Sequence, residues 1–476
     1  MHAASLSQVK FDADLIARYE GSGPRYTSYP TADRFAEGSA CQQYERALSL
    51  RQERTPDVPL SLYVHVPFCD TVCYYCACNK IATKDRARAD LYLDYLHKEI
   101  QLVRRRFAKA PSVSQLHLGG GTPTFLTNAQ LERLLQMLHA SFELLPSAEC
   151  SIEIDPRRLN AGALALLSRH GFNRMSLGVQ DLDPAVQKAV NRIQPAELTE
   201  SVLDQARSLG FRSINIDLIY GLPLQSTETM RATLETILQW RPDRIALYSY
   251  AHLPERFMPQ RRIEVCALPS GATKLAMLKL AVDTLLAAGY VYIGMDHFAL
   301  PEDELAQSLV NGTLQRNFQG YATQADCDLI ALGVSAISRI GQTYAQNHRV
   351  LQDYYDALDR SELPLSKGLT MTHDDEIRRA AIHDLLCQSE IDIPAFEKRW
   401  NIGFAKYFDH ELEELAKYFD HELEELQSLA SDGLVSLNAS EITITPRGRF
   451  LARIVAMRFD RHLREAKTHA RYSKVI

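Results

Sequence analysis

The 476 residues are more than one hydrophobic core serves well, so two or three folding units are expected. Apolar residues at 46% and charged residues at 24% match an ordinary globular chain and exclude extensive disorder. A net charge of −6 and an isoelectric point near 6.2 argue against a general nucleic-acid binder, though not against a local basic pocket for an anionic substrate.

The first stretch, "MHAASLSQVKFDADLIARYE", lacks a basic region followed by an apolar one, so no secretory leader is expected. No run approaches about 18 uninterrupted apolar residues, so no membrane span is expected either. "SGPRYTSYPTA" (22–32) reads as an ordered turn. From about residue 60, short runs rich in Val, Ile, Leu and Tyr alternate with amphipathic stretches. The predicted strands are 61–66, 115–118, 150–155, 174–179, 213–221 and 244–250. Stretches such as "RADLYLDYLHKEIQLVRRRF" and "NAQLERLLQMLHASFELL" carry apolar residues at three- and four-residue steps, the mark of helices packed on one face. This rhythm implies parallel strands with right-handed crossovers. Six such units fit a partial barrel, a complete barrel or a doubly wound sheet, and periodicity does not choose among them.

Residues suited to chemistry fall at the predicted strand ends, where barrels place their sites. A cysteine-rich loop follows the first strand and "GGGTPT" the second. Glu153 and Asp155 end the third, Gln180 ends the fourth, Asp217 lies in the fifth and "YAH" closes the sixth. Beyond about residue 370 the pattern reads as helices, a short hairpin and a final helix, a small winged-helix-like unit without a concentrated basic face. "AKYFDHELEEL" occurs twice in tandem, at 405–415 and 416–426. Eleven residues turn the apolar face by only about 20° while adding roughly 16 Å of helix, so a lengthened surface helix without functional content is expected.

"YVHVPFCDTVCYYCACNK" (63–80) gathers Cys69, Cys73, Cys76 and Cys78, while Cys41, Cys150, Cys266, Cys327 and Cys387 are scattered. The scattered five read as inert thiols in a reducing compartment. Zinc would usually take paired C-x2-C knuckles or histidines at characteristic intervals and close all four positions. Three thiolates on one tight loop instead suit three irons of a cubane cluster and leave the fourth iron open.

C-x3-C-x2-C with an aromatic residue before its last Cys resembles the signature of radical SAM enzymes. "SGPRYTSYPTA", "LHLGGGTPTFL", "SIEIDPR", "LGVQD", "NIDLIYGLP", "YAHLP", "GMDHFA", "RNFQGY" and "GVSAIS" extend the resemblance, nearly end to end, to the oxygen-independent coproporphyrinogen III oxidases (dehydrogenases). The resemblance implies an α/β fold: a partial (β/α)6 radical SAM barrel with an N-terminal extension and a mainly helical, winged-helix-like C-terminal domain. The corresponding divisions are 1–55, covering the active-site mouth; 56–300, the barrel; 301–368, a connecting segment that contributes to the site; and 369–476. It implies oxidative decarboxylation of two propionates of coproporphyrinogen III to vinyl groups, giving protoporphyrinogen IX in haem biosynthesis, by a 5′-deoxyadenosyl radical. A haem-binding chaperone of the same superfamily is the alternative; such relatives generally lack "GPRYTSYPT" and carry Phe in place of Cys78.

By the same resemblance, Cys69, Cys73 and Cys76 hold a 4Fe–4S cluster. Tyr63, Gly120 and Glu153 contact the S-adenosylmethionine on it. A second S-adenosylmethionine meets Tyr75, Gly121, Thr122, Gln180, Arg192, Asp217, Ala251 and Ile337. Phe318 and Gln319 lie near the second site and, with Tyr63 and Glu153, count as catalytic candidates. The residue types agree: Glu153 can pair with an amino group, Asp217 can accept from a ribose, and Arg192 can fork a carboxylate. Arg25, Arg316 and His297 are candidates for the substrate's propionates, and Cys78 is expected not to bind the cluster, since its sulfur would block the open iron. The expected partners are coproporphyrinogen III, a donor such as flavodoxin or ferredoxin and an unidentified electron acceptor. A monomeric cytoplasmic enzyme without nucleic-acid or membrane partners is expected.

Overall fold

The computed structural model describes residues 9–19, 21–318, 320–324, 327–409, 422–465 and 472. It divides into two compact units. One comprises Arg34–Met277 and Asp326–Thr370; the other comprises Met1–Asp33, Leu278–Ala325 and Met371–Ile476.

The larger unit is built on β1 (Leu60–Val66), β2 (Ser112–Gly120), β3 (Glu143–Ile154), β4 (Arg174–Gln180), β5 (Ser213–Tyr220) and β6 (Arg244–Ser249). Each pairs in parallel with the next. A doubly wound sheet would reverse its winding about the first strand. Here β1 to β6 follow in chain order, with crossover helices α1 (Ala87–Arg104), α2 (Asn128–Ser141), α3 (Ala163–Arg169), α4 (Ala196–Ser208) and α5 (Thr227–Trp240). That is the winding of a (β/α)6 barrel. On the free side of β1, β7 (Leu329–Leu332) adds in parallel, and β8 (Ile337–Ile340), β9 (Thr343–Asn347) and β10 (Leu365–Thr370) continue as an antiparallel meander.

Local sequence accounts for these elements. β1 reads "LSLYVHV" and buries all but Tyr63, the pattern of a strand covered on both faces. In α2, Leu131, Leu134, Leu135 and Leu138 form one buried stripe, each contributing about 1.5–3 kcal/mol of burial. Thr127 and Gln130 cap that helix reciprocally. β3 starts seven residues before its predicted beginning, because Glu143 and Leu144 pair with Ser112 and Val113. A register shift between Val113 and Gln115 accommodates the stretch around Pro146, which had masked that half of the strand.

In the smaller unit, Val291–Gly294 and His297–Ala299 form one antiparallel hairpin, and Gln315–Asn317 and Gly320–Ala322 another. After helix His373–Gln388, the strands Glu390–Asp392, Glu441–Ile444 and Val435–Leu437 make a small antiparallel sheet beside helices Ile393–Trp400 and Glu422–Ser431. The expected hairpin is the last two strands; the three-residue first strand was too short to signal itself. Most of the tandem repeat, 410–421, and with it the expected helix extension, lies outside the described residues. No helix among the described residues is long and apolar enough to cross a membrane.

Candidate cluster and cofactor site

The cysteine loop leaves β1 through Pro67 and is held from several sides. Ile81 N donates to Pro67 O and Thr83 N to Cys69 O, so Phe68–Cys69 and Ile81–Ala82 form a short parallel pair. Tyr74 N donates to Val190 O, and Asn191 Nδ2 to Val72 O at 2.8 Å. Two glycines, Gly120 at the end of β2 and Gly121 just after it, serve this packing. A Cβ on Gly121 would lie 2.6 Å from Pro67 O, and one on Gly120, whose φ is +121°, 2.8 Å from Val66 O. Their close approach is therefore to the base of the cysteine loop.

Cys69 and Cys73 are buried, Cys76 is half-buried and Cys78 is exposed. Burial pushes the Cys69 thiol up to about 12, and Thr122 Oγ1 lies 3.4 Å from its sulfur. Hydrogen bonding from Cys78 lowers Cys76 to about 6. Cys73 has a different environment: Arg157 Nη2 and Arg192 Nη1 both lie 3.6 Å from its sulfur. Asp155 holds both guanidinium groups, at 2.7 Å from Arg157 Nη2 and 3.3 Å from Arg192 Nη1. Burial opposes ionisation of Asp155, but the two arginines outweigh it and keep its carboxyl below the ordinary range. Arg192 also donates from Nη2 to Gly178 O, while its Nε is buried without a partner.

Gly178 leaves the space for this. A Cβ there would lie 2.9 Å from Gln180 Nε2 and 3.0 Å from Arg192 Nη2. The β4–β5 register shifts between Gly178 and Gln180, and Gln180 adopts φ 71°. This bulge at the strand end re-aims the side chain at a backbone cost on the order of 1 kcal/mol.

Tyr63, His65, His117 and Glu153 share the ends of β1 to β3. Tyr63 stacks on His117 with centroids 5.8 Å apart. His65 Nε2 lies 3.0 Å from Asn79 O, a pure acceptor, so it carries the proton and Nδ1 accepts from Tyr63 OH at 3.0 Å. Burial lowers the His65 pKa, which keeps the ring neutral. Glu153 accepts from Gly120 N at 3.2 Å and faces His117 Nε2 at 3.5 Å. The recess around Glu153 would raise its pKa, but His117 and the Gly120 N–H reverse the shift, leaving an anion with 48% of its side chain open. Asp217 accepts from Ser176 Oγ and Asn215 Nδ2, each at 2.8 Å. Burial raises its carboxyl to about 6.

Tyr75 packs beside the cluster of Val186, Val190, Ile219, Leu222, Tyr250 and Ile263. Its carbonyl is tied to that of Ala251 through one buried side chain: Gln260 Nε2 donates to Tyr75 O and Ala251 O, each at 3.1 Å, and Oε1 accepts from Leu253 N at 2.6 Å. Ile337 opens β8 in the same unit. Sequence reasoning missed Arg157, His117, Gly178 and Gln260. "DPR" (155–157) carried a signal, because an Asp before Pro-Arg at a strand end can turn the arginine back onto itself. Gln260 had none.

The smaller unit holds the remaining candidates. Phe318 follows the strand Gln315–Asn317 and is half-buried; Gln319 lies outside the described residues. Arg25 pairs with Asp296. Arg316 Nη2 donates to Arg25 O at 3.1 Å, its guanidinium lies 4.8 Å from the Tyr321 ring centroid, and its Nε and Nη1 are buried without partners. His297 packs edge-on against Tyr321. Burial and then Arg316 lower its pKa to about 4. It is therefore neutral at pH 7.

The donor set of the cysteine loop fits an iron–sulfur cluster. Two guanidinium groups aimed at one sulfur, Arg192 buried and Arg157 half-buried, suit an anionic centre far better than a neutral thiol. Among the described residues no group of three His, Cys, Asp or Glu side chains converges as a single ion would require. A cubane takes one thiolate per iron and needs no such convergence. The open Glu153 carboxylate suits an amino group, and the orphan Arg192 Nε suits a carboxylate.

Residues 63–237 match the radical SAM superfamily, and residues 371–451 match the HemN C-terminal domain. The oxygen-independent coproporphyrinogen III oxidase of Pseudomonas aeruginosa is 49% identical over 99% of this chain and 100% of its own. That of Escherichia coli is 46% identical over 99% and 100%. The solved structure of coproporphyrinogen III oxidase (HemN) from Escherichia coli, described as a radical SAM enzyme, superposes with a TM-score of 0.89 at 45% identity, covering 96% of this chain and 100% of that one.

Proposed function

The chain belongs to the oxygen-independent coproporphyrinogen III oxidases of the radical SAM superfamily, and from that premise we propose that it converts two propionates of coproporphyrinogen III to vinyl groups through the site just described. The observation that carries this reading is the cysteine loop at the strand ends, with Arg157 and Arg192 both at Cys73. Cys69, Cys73 and Cys76 would hold a 4Fe–4S cluster there, and with S-adenosylmethionine it would supply the radical chemistry needed to take hydrogen from a propionate β-carbon, with CO2 and one electron as the other products.

The chain's own groups bind, orient and shield. Cys69, Cys73 and Cys76 are the cluster ligands, while the exposed Cys78 is not one. Glu153, held ionised by His117 and Gly120, is placed to bind an amino group beside Tyr63 and Gly120. Tyr63 stays protonated because burial raises its pKa well above the ordinary value. A second S-adenosylmethionine is assigned to Tyr75, Gly121, Thr122, Gln180, Arg192, Asp217, Ala251 and Ile337, and the family resemblance adds Phe318 and Gln319. Two propionates react, which suits two such molecules. The orphan Arg192 Nε and the Asp217 carboxylate support this assignment. Arg25 and Arg316 are the candidates for anchoring substrate carboxylates, supported by the two unpartnered Arg316 donors. The enzyme draws single electrons from a donor of the flavodoxin or ferredoxin type, passes the spare electron to an acceptor, and works as a monomer in the cytoplasm.

The test is anaerobic reconstitution with iron and sulfide, then incubation with coproporphyrinogen III, S-adenosylmethionine and dithionite. Protoporphyrinogen IX and CO2 are the expected products. A loaded, reduced protein that leaves coproporphyrinogen III unchanged would refute the reading.

A further inference from the structure

Between β7 and β8 the chain turns through "GVSAIS" (333–338). This stretch carries Ile337 and lies at the same end of the sheet as the cysteine loop, because β7 runs parallel to β1. Every N–H of the turn Gly333–Ala336 is held. Gly333 N donates to Glu99 Oε2 at 2.7 Å and Val334 N to Tyr92 OH at 3.2 Å. Ser335 N donates to His348 O at 2.8 Å and Ala336 N to Gly333 O at 3.2 Å. Asn347 Nδ2 closes the set, donating to Gly333 O at 2.8 Å and to Glu99 Oε1 at 2.7 Å. Loops ordinarily leave such groups to surface water.

Tyr92 and Glu99 reach the turn from one face of α1, about two helical turns apart, and both side chains are buried. The Tyr92 hydroxyl has a second partner. It donates to His65 O at 2.7 Å, so one oxygen bridges β1 and the turn. Its ring stands edge-on to Phe68, the residue before Cys69, with centroids 5.5 Å apart. A Cβ on Gly333, whose φ is +99°, would collide with the Tyr92 hydroxyl and lie 2.7 Å from His65 O. The bare glycine is what lets hydroxyl, turn and strand meet. The His65 ring in turn accepts from the Tyr63 hydroxyl. Glu99 is a carboxyl group buried with neutral donors, an arrangement that costs stability. Such departures from the most stable choice belong at functional sites.

We propose that Tyr92 and Glu99 are positioning residues for the second S-adenosylmethionine: by fixing the turn Gly333–Ala336 against β1, they set the place of Ile337 relative to Tyr63. The proposal rests on the assignment of two S-adenosylmethionine sites above. β1 is held between β2 and β7 and stays in place when the bridge is broken, whereas the turn loses a restraint. Tyr92→Phe removes the hydroxyl and keeps the ring that packs on Phe68 and Tyr354. Glu99→Gln keeps the shape but sets an NH2 group among donors.

The experiment uses the reconstituted full chain. S-adenosylmethionine binding is measured by equilibrium dialysis, and the EPR spectrum of the dithionite-reduced cluster is recorded with and without it. Hydrogen exchange over residues 333–337 is followed in the protein without S-adenosylmethionine. Wild type should bind two molecules. Both variants should exchange faster at 333–337 and bind one of the two molecules about tenfold more weakly. The other should bind as in the wild type and change the EPR spectrum of the cluster as it does there. Wild-type exchange, or wild-type affinity at both sites, would overturn the proposal while leaving the enzymatic reading intact. So would equal weakening of both sites or an altered cluster spectrum, the mark of a general loss of structure. A wild type that binds a single molecule would overturn it together with the second-site assignment. A chain that assembles no cluster would overturn the enzymatic reading as well.

Discussion

At Cys73 two guanidinium groups meet one sulfur, and Asp155 sets the angle of each. Arg157 supplies one positive charge and a donor 3.6 Å from that sulfur. Replacing it by Met would preserve much of its volume and leave the Arg192–Asp155 pair in place. A cluster with less positive surroundings is harder to reduce. The expected result for Arg157→Met is full iron and sulfide content with a more negative midpoint potential in an EPR-monitored redox titration. An unchanged potential would reduce Arg157 to a packing residue. Asp155 and Arg157 also show the limit of reading residues from sequence. Both stand in a visible "DPR" run, yet their meeting with Arg192 and Cys73 is a fact of three-dimensional placement.

Among the elements, the segment after β6 and the cysteine loop are tied through Gln260. In Gln260→Ala, two carbonyls and one N–H lose their partner, and each unsatisfied group costs about 1–3 kcal/mol where it stays buried. Faster hydrogen exchange at residues 251–253 is expected, together with weaker S-adenosylmethionine binding to the reconstituted protein by equilibrium dialysis. Exchange at the wild-type rate would contradict the tie. A second tie joins α1 to the strands beside β1. Glu99 accepts from Gly333 N and Asn347 Nδ2 at 2.7 Å and from Tyr354 OH at 2.6 Å. Burial nonetheless raises its carboxyl to about 7, above an ordinary 4.5. The folded state keeps a proton that the unfolded chain has lost, so Glu99 weakens stability as pH rises from about 4.5 to 7, and the full penalty stands above 7. Its size is on the order of 3 kcal/mol. Glu99→Gln cannot ionise, so its melting temperatures at pH 5 and pH 8 should differ less than those of the wild type. Equal differences would contradict the assignment. Position along the chain was readable for all six barrel strands, because their runs of Val, Ile, Leu and Tyr are short and separated by helical patterns. The first half of β3 and the three-residue strands were not, since long-range pairing rather than local preference makes them strands.

Over the whole molecule, the chain-order pairing of β1 to β6 brings Tyr63, the cysteine loop, Gly120, Glu153, Gln180 and Asp217 to one end of one sheet. Strand-end spacing alone had pointed there, whereas the choice between barrel and doubly wound sheet needed the strand order. The smaller unit gathers Arg25, Arg316, His297 and Phe318 from segments far apart in sequence, which no local pattern announces. Hydrogen abstraction from a propionate of coproporphyrinogen III is the step on which the proposed function turns. Substrate deuterated at the propionate β-carbons, incubated anaerobically with reconstituted protein, S-adenosylmethionine and dithionite, reports on it. Deuterium is expected in the 5′-deoxyadenosine isolated by mass spectrometry, in step with vinyl-group formation. Vinyl formation with unlabelled 5′-deoxyadenosine, or labelled turnover without loss of CO2, would contradict it.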